Sequence, residues 1–133
     1  MIYFQHSEEN NEYHYCYYPI PLTEELIQVK LKKSSNCTAF KTWEACFAFL
    51  EWVVNHTSLF RSKRILEVGS GSGLCGQMMQ CIVRDCQIVM SDYCDEVTEY
   101  IRRNIEDSRW NWKYFHTDRS TSIRMPSYRN SIC

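Results

Sequence analysis

Few glycines and prolines interrupt this chain of 133 residues: it has four of the first and three of the second, and every glycine lies between positions 69 and 76. No repeat and no low-complexity tract is present. The length is that of one small domain, enough to bury a core but short for a complete enzyme of the doubly wound type. Charge of one sign is lacking too. A total of 15 basic and 16 acidic side chains leaves a net charge of -1, mixed along the chain, so no basic stripe recommends nucleic acid and no acidic tail recommends a basic partner. No apolar run approaches the ~18 residues that a bilayer span needs. The longest, residues 45–50, reads as part of a core helix, and no membrane is expected. Cysteine is plentiful at eight, yet there is no C-x-x-C pair and no signal-peptide pattern, so the expectation is reduced, mostly buried thiols in a cytoplasmic protein. The histidines His6, His14, His56 and His116 are scattered, and none sits at ligand spacing from a cysteine or carboxylate, which argues against zinc or another bound metal.

The first dozen residues, with a polar run over 7–12, read as a frayed terminus or loop. Residues 13–18 are aromatic-rich and strand-like, closed by Pro19 and Pro21. From Leu26 onward, Ile27, Val29 and Leu31 alternate with Gln28, Lys30 and Lys32, the period of a half-buried strand. These two segments are expected to form a hairpin within residues 1–36, ahead of a main domain over 37–116 and an irregular tail over 117–133. Thr42 is placed to N-cap a helix over 43–55, with Trp43, Cys46, Phe47, Leu50, Val53 and Val54 at helical spacing. Residues 64–68 then read as a strand, and 73–83 as a helix with Leu74, Met78, Cys81 and Ile82 on one face. A second strand over 87–90 ends at Ser91-Asp92, and Asp95 is placed to cap a helix with Val97, Ile101 and Ile105 on one stripe. Strand, helix, strand, helix implies a parallel α/β sheet, to which residues 110–116 would add a third strand.

The run Leu66-Glu67-Val68-Gly69-Ser70-Gly71-Ser72-Gly73-Leu74 carries a short apolar strand through a glycine-dense turn into a helix. Such a turn lets the backbone approach a ligand closely and can aim free N–H groups at it. Several nucleotide-binding folds use the device, so the acids must discriminate. Glu67 places a carboxylate at the mouth of the strand, where it would hold a cationic ligand group and repel a pyrophosphate. Asp92 ends the second strand, where an acid can accept hydrogen bonds from both ribose hydroxyls of a nucleoside. Both stand where open parallel sheets bind ligands, beyond the C-terminal ends of the strands. Together they favour an S-adenosylmethionine site. Other readings stand beside this one: Asp92 as a cap on the following helix, and Glu67 as a solvated strand end or a partner of Arg64. Gly71, Gly73 and Gly76 also satisfy G-x-G-x-x-G, but out of register, because Gly69 already follows the strand; a dinucleotide-binding oxidoreductase is therefore the poorer fit.

The same run resembles motif I of the seven-β-strand methyltransferases. Together with Lys41-Thr42-Trp43-Glu44-Ala45, Leu50-Glu51-Trp52, Phe60, Arg61, Ser91-Asp92 and Asn104-Ile105, it makes residues 40–105 resemble the eukaryotic elongation factor 2 lysine methyltransferase family and the related methyltransferase-like protein-lysine methyltransferases. The resemblance implies a partial Rossmann-like seven-β-strand sheet preceded by an N-terminal β-hairpin and helix. It also implies S-adenosyl-L-methionine as cofactor and a cytosolic protein substrate, elongation factor 2 being the best single guess. By resemblance, Glu67, Gly69 and Gly71, with Gly73, border the methionine part of the cofactor. Asp92 binds its ribose, Tyr93 lies near the adenine, and Trp43 lines the pocket, core packing being the other reading of Trp43. Asp118 would approach the adenine edge if residues 114–118 stand in for the family's third strand.

Residues 117–133 do not match the Asp-x-x-Tyr-like motif that the family carries on a fourth strand beside the methyl acceptor. No catalytic residue can be nominated, and a truncated form is expected. In the family's strand order the 64–68 strand is central, so without that neighbour it would present an apolar edge for the hairpin or a partner to cover. A non-catalytic cofactor-binding or interaction fragment is the alternative to an active methyltransferase.

Overall fold

The computed structural model describes residues 4–7, 13–33 and 37–106; the expected strand over 110–116, Asp118 and the tail over 117–133 lie outside them. Period-two alternation builds an antiparallel sheet in the order β1 (Phe4–Ser7), β2 (Tyr13–Pro19), β3 (Leu26–Lys32). The expected hairpin is thus three-stranded, and the frayed reading of the first dozen residues is corrected at 4–7, which pair with β2 from Phe4 opposite Tyr17 to Ser7 opposite His14. Backbone pairing along the free edge of β2 satisfies N–H and C=O groups whatever the polarity of the side chains. Between β2 and β3 the register sets Cys16 opposite Val29 and Tyr18 opposite Ile27, all four buried.

Helix α1 (Glu44–Asn55) starts one residue later than the spacing suggests, with Trp43 as its N-cap and no side-chain cap bond. Thr42 does not cap it. Its hydroxyl oxygen instead accepts a hydrogen bond from the Tyr18 hydroxyl at 3.2 Å, a tertiary contact that ties α1 to β2. The chain continues through β4 (Arg64–Val68), α2 (Leu74–Val83), β5 (Gln87–Ser91) and α3 (Asp95–Glu106), in which Asp95 is the first helical residue. β4 and β5 are parallel, with Ile65 opposite Ile88 and Glu67 opposite Met90, and α2 is their crossover. α2 packs on both α1 and β5, and this sandwiching buries Gln77, Met79, Gln80 and Val83 along with Leu74 and Met78, while Cys81 and Ile82 are only half-buried. α3 packs on β3, where Tyr100 and Asn104 bond the Lys30 backbone, and its expected stripe of Val97, Ile101 and Ile105 is buried.

The fold is mixed α/β, and among the described residues its strands form two small sheets, one antiparallel and one parallel, rather than a single seven-stranded sheet. The N-terminal sheet does not extend the parallel one. Within the described residues β4 has β5 as its only strand neighbour, and Leu66 and Val68, on the face turned away from α2, are 50% and 70% exposed. The N-terminal strands cover α3, not the β4 edge.

Candidate functional site

The turn after β4 passes through Gly69, Gly71 and Gly73 at φ of 74°, 53° and 77°, left-handed backbone that favours glycine. Four of its N–H groups are already engaged. Gly69 and Ser70 both donate to the Ser91 carbonyl, at 2.9 and 3.0 Å, and Gly73 donates to the Ser70 carbonyl at 2.8 Å. Gly71 donates to Asp92 Oδ2 at 3.0 Å. The expectation of free N–H groups aimed at a ligand is therefore corrected at these four positions, since the end of β5, Asp92 and the turn's own Ser70 carbonyl take them. A turn satisfied in this way is not a pyrophosphate cradle, in keeping with the carboxylate at Glu67. The other Asp92 oxygen, Oδ1, accepts from the Cys94 N–H at 3.4 Å, so Asp92 also fastens the entry to α3, as the helix-cap reading anticipated.

Beside the turn lies a cavity of about 650 Å³, within the range of roughly 300–1,000 Å³ usual for small-molecule sites. Trp43 and Cys46, Glu67, Gly69, Gly71 and Asp92 contribute to its wall. Trp43 is 59% exposed and its indole N–H donates to the Thr38 carbonyl at 3.1 Å; it is wall, not core. Glu67 shares the inward face of β4 with Ile65, whereas Arg64 lies with Leu66 and Val68 on the exposed face, so strand alternation rules out an Arg64–Glu67 pair. Gly73 and Tyr93 are not on the wall. Gly73 lies behind the turn, where a Cβ would meet Ile101 at 3.2 Å, and Tyr93 is 93% exposed on the link after β5.

Glu67 Oε2 is buried without a hydrogen-bond partner. Burial raises the Glu67 pKa above the ordinary carboxylate value; the neighbouring donor groups of Ser70, Cys75 and Gly76 oppose the shift, and the nearby Asp92 charge adds to it. Two carboxylates on one wall, one with an orphaned oxygen, suit a ligand carrying a cationic group and hydroxyls, which fits S-adenosylmethionine. A folded-state pKa raised above the unfolded value means that Glu67 contributes most to stability below its unfolded pKa, a contribution lost as pH rises through the folded value. Glu67→Gln is therefore expected to raise the melting temperature of the ligand-free protein at neutral pH, with the difference shrinking in acid. Thermal scans across pH check it, and a lower melting temperature at pH 7 would show that the carboxylate is stabilised in place.

A parallel βαβ unit with a carboxylate-lined cavity at its strand ends defines an α/β protein whose cavity has the size and polarity to suit a small polar ligand. Residues 22–118 match the family described as lysine methyltransferase, and the chain belongs to that family. It is similar to the human protein-lysine N-methyltransferase EEF2KMT, 32% identical over 54% of this chain and 22% of that protein. A calmodulin-lysine N-methyltransferase of Arabidopsis thaliana is 45% identical over 35% of this chain and 16% of its own length. The protein-lysine N-methyltransferase EFM3 of Chaetomium thermophilum is 28% identical over 56% of this chain and 22% of its own length. The chain thus spans less than a quarter of these three relatives. The family is one of methyltransferases rather than dinucleotide oxidoreductases. No helix among the described residues is long and apolar enough to cross a membrane, and no cluster of three or more His, Cys, Asp or Glu side chains there could hold a metal ion.

Among the wall residues that sequence reasoning missed are Cys46, Cys75 and Ala39, the last also standing behind Gly71. Cys46 carried only the signal of a core position on a helix. Nothing in the sequence pairs it with Cys75.

Proposed function

We propose that this chain forms the S-adenosylmethionine-binding side of a protein-lysine N-methyltransferase acting on a cytoplasmic protein, with elongation factor 2 the acceptor suggested by the resemblance of residues 40–105. The observation that carries the reading is the meeting of Glu67, the glycine turn and Asp92 on one cavity wall. S-adenosylmethionine supplies a methyl group on a sulfonium, open to attack by a neutral lysine amine. Glu67 holds the cationic methionine part, Gly69 and Gly71 let the backbone come close, and Trp43 walls the site from the head of α1. Asp92 accepts from the ribose hydroxyls. Gly73 supports the turn from behind, and Tyr93 is assigned to the adenine by resemblance alone. The β4–β5 unit is the start of a larger Rossmann-like sheet in this reading, and the exposed Leu66 and Val68 call for a covering partner.

Calorimetric titration with S-adenosylmethionine tests the proposal. A hydrogen bond to a charged group contributes about 1.5–3 kcal/mol, so Asp92→Ala is expected to weaken binding by about 100-fold. Asp92→Asn keeps an acceptor for the Gly71 N–H and serves as the control for the fold. Unchanged affinity in Asp92→Ala sinks the reading. Among the described residues β4 has β5 as its only strand neighbour, which favours a second reading, a cofactor-binding or interaction fragment without transfer. Radiolabelled donor separates the two, because one labelled lysate protein excludes the fragment reading.

A further inference from the structure

The cavity wall carries both signs of charge, and the function proposed above uses only one of them. Glu67 and Asp92 are its acids; Lys41 is the one basic side chain on the wall among the described residues. No ion pair among those residues engages Lys41. The link that carries it is nevertheless held firmly. Phe40, just before, is buried and meets the Tyr100 ring edge-on at 5.0 Å, and the Thr42 hydroxyl, just after, accepts from Tyr18. The Lys41 N–H donates to the Thr38 carbonyl at 3.3 Å, and the Trp43 indole donates to that same carbonyl at 3.1 Å. Lys41 and Trp43 both have extended backbone, with ψ of 150° and 143°. Alternation along extended chain places such a pair on one side of it, with Thr42 between them turned to β2. A lysine with a pinned backbone and an exposed side chain thus stands next to Trp43 at the cavity.

We infer that Lys41 anchors the carboxylate of the ligand's amino acid end, so that the cavity takes that end as a zwitterion, with its ammonium at Glu67 and its carboxylate at Lys41. The inference rests on the S-adenosylmethionine reading, which gives Glu67 the cationic part and leaves the carboxylate without a partner.

Charge makes such a partner necessary. S-adenosylmethionine carries an ammonium and a carboxylate on one carbon, and a sulfonium three carbons away. Against a wall of two acids alone the ligand's carboxylate would be repelled. Lys41 removes that conflict, because two carboxylates and one ammonium on the wall meet two positive charges and one negative on the ligand. The arrangement selects a nucleoside ending in an amino acid over one ending in an amine alone, since the second offers Lys41 only repulsion.

The test is calorimetric titration of the full chain with S-adenosylmethionine and with decarboxylated S-adenosylmethionine, which keeps the sulfonium, the nucleoside and the amine. Lys41→Met is expected to weaken S-adenosylmethionine about 10-fold, the low end for a hydrogen bond between charged groups because solvent screens an exposed ammonium. Lys41→Arg keeps a cation that pairs with carboxylates and should stay within about 3-fold of the unaltered chain. The decarboxylated ligand should bind Lys41→Met as tightly as the unaltered chain, or more tightly. Both substitutions keep the N–H that bonds Thr38, and equal melting temperatures confirm that the link is intact. Equal weakening of both ligands in Lys41→Met would make Lys41 a support of the wall and overturn the inference, as would unchanged S-adenosylmethionine affinity. If the unaltered chain binds neither ligand, the proposed function fails and takes this inference with it. If it binds S-adenosylmethionine and Lys41→Met binds it equally well, only the role of Lys41 fails.

Discussion

Gly71→Ala is expected to cost about 2–5 kcal/mol, whereas Gly69→Ala should cost about 1–2 kcal/mol. Both residues have positive φ, at 53° and 74°, and forcing an L-residue into that region costs about 1–2 kcal/mol in either place. The surroundings make the difference. A Cβ on Gly69 meets nothing within 4 Å, while one on Gly71 would lie 2.8 Å from the Ala39 carbonyl oxygen. That oxygen belongs to backbone and cannot rotate aside, so the short turn over residues 38–40 must shift. Displacing it disturbs the Trp43 indole bond to Thr38 and strains the Gly71 bond to Asp92. Overpacking of this kind adds typically 1–3 kcal/mol to the backbone strain. Urea denaturation of both variants checks the ranking, and equal losses would show that the Ala39 contact relaxes freely.

Removing the side chain of Asn104 should be comparably damaging. Asn104 is 3% exposed and joins three elements: its Oδ1 accepts from the Lys30 N–H at 3.0 Å, and its Nδ2 donates to the Lys30 carbonyl at 3.2 Å and the Ser72 carbonyl at 3.1 Å. The Tyr100 hydroxyl donates to the same Lys30 carbonyl, so α3 grips β3 at one residue and reaches the glycine turn from there. Leaving buried partners without their hydrogen bonds costs about 1–3 kcal/mol each, and Asn104→Ala is expected to lose about 3–5 kcal/mol in total. Asn104→Asp is more diagnostic. It keeps the acceptor for Lys30 but sets a carboxylate against two carbonyl oxygens, so its folded pKa is raised, and the variant should be most stable in acid and weaken as pH rises through that value. Denaturant titrations at pH 4.5 and 7.5 read this directly, and an Asn104→Asp protein equally stable at both would mean that the side chain turns to solvent.

How much of this was legible in the residues varies by element. The alternation of Ile27, Val29 and Leu31 and the stripe of Val97, Ile101 and Ile105 are periodic enough to name a strand and a helix, and all six are buried. The glycine turn was legible because four glycines in eight positions leave little else for the backbone to do. Thr42 shows where local signals stop. Its position favours capping α1, but its hydroxyl oxygen accepts from the Tyr18 hydroxyl, 24 residues away. The buried face of α2 was drawn too narrow for a similar reason, since a helix packed on both α1 and β5 buries Gln77 and Gln80 as well as its apolar stripe.

By itself the sequence determined the strand–turn–helix of residues 64–83, the acid at each strand end and membership of a lysine methyltransferase family, because these are local patterns of period, glycine and charge. Only the tertiary structure decided what those groups face. Parallel pairing of β4 with β5 sets Val68 beside Ser91 and brings Asp92 onto the Gly71 N–H. Packing of α2 on β5 buries Glu67 Oε2 against Gly76, packing of α1 on α2 brings Cys46 and Cys75 to the wall of one cavity, and Tyr93 stays in solvent. Contacts between residues 20 to 70 positions apart depend on how the layers close. No local pattern encodes that closure, since it is settled by burial and hydrogen-bond satisfaction summed over the whole core.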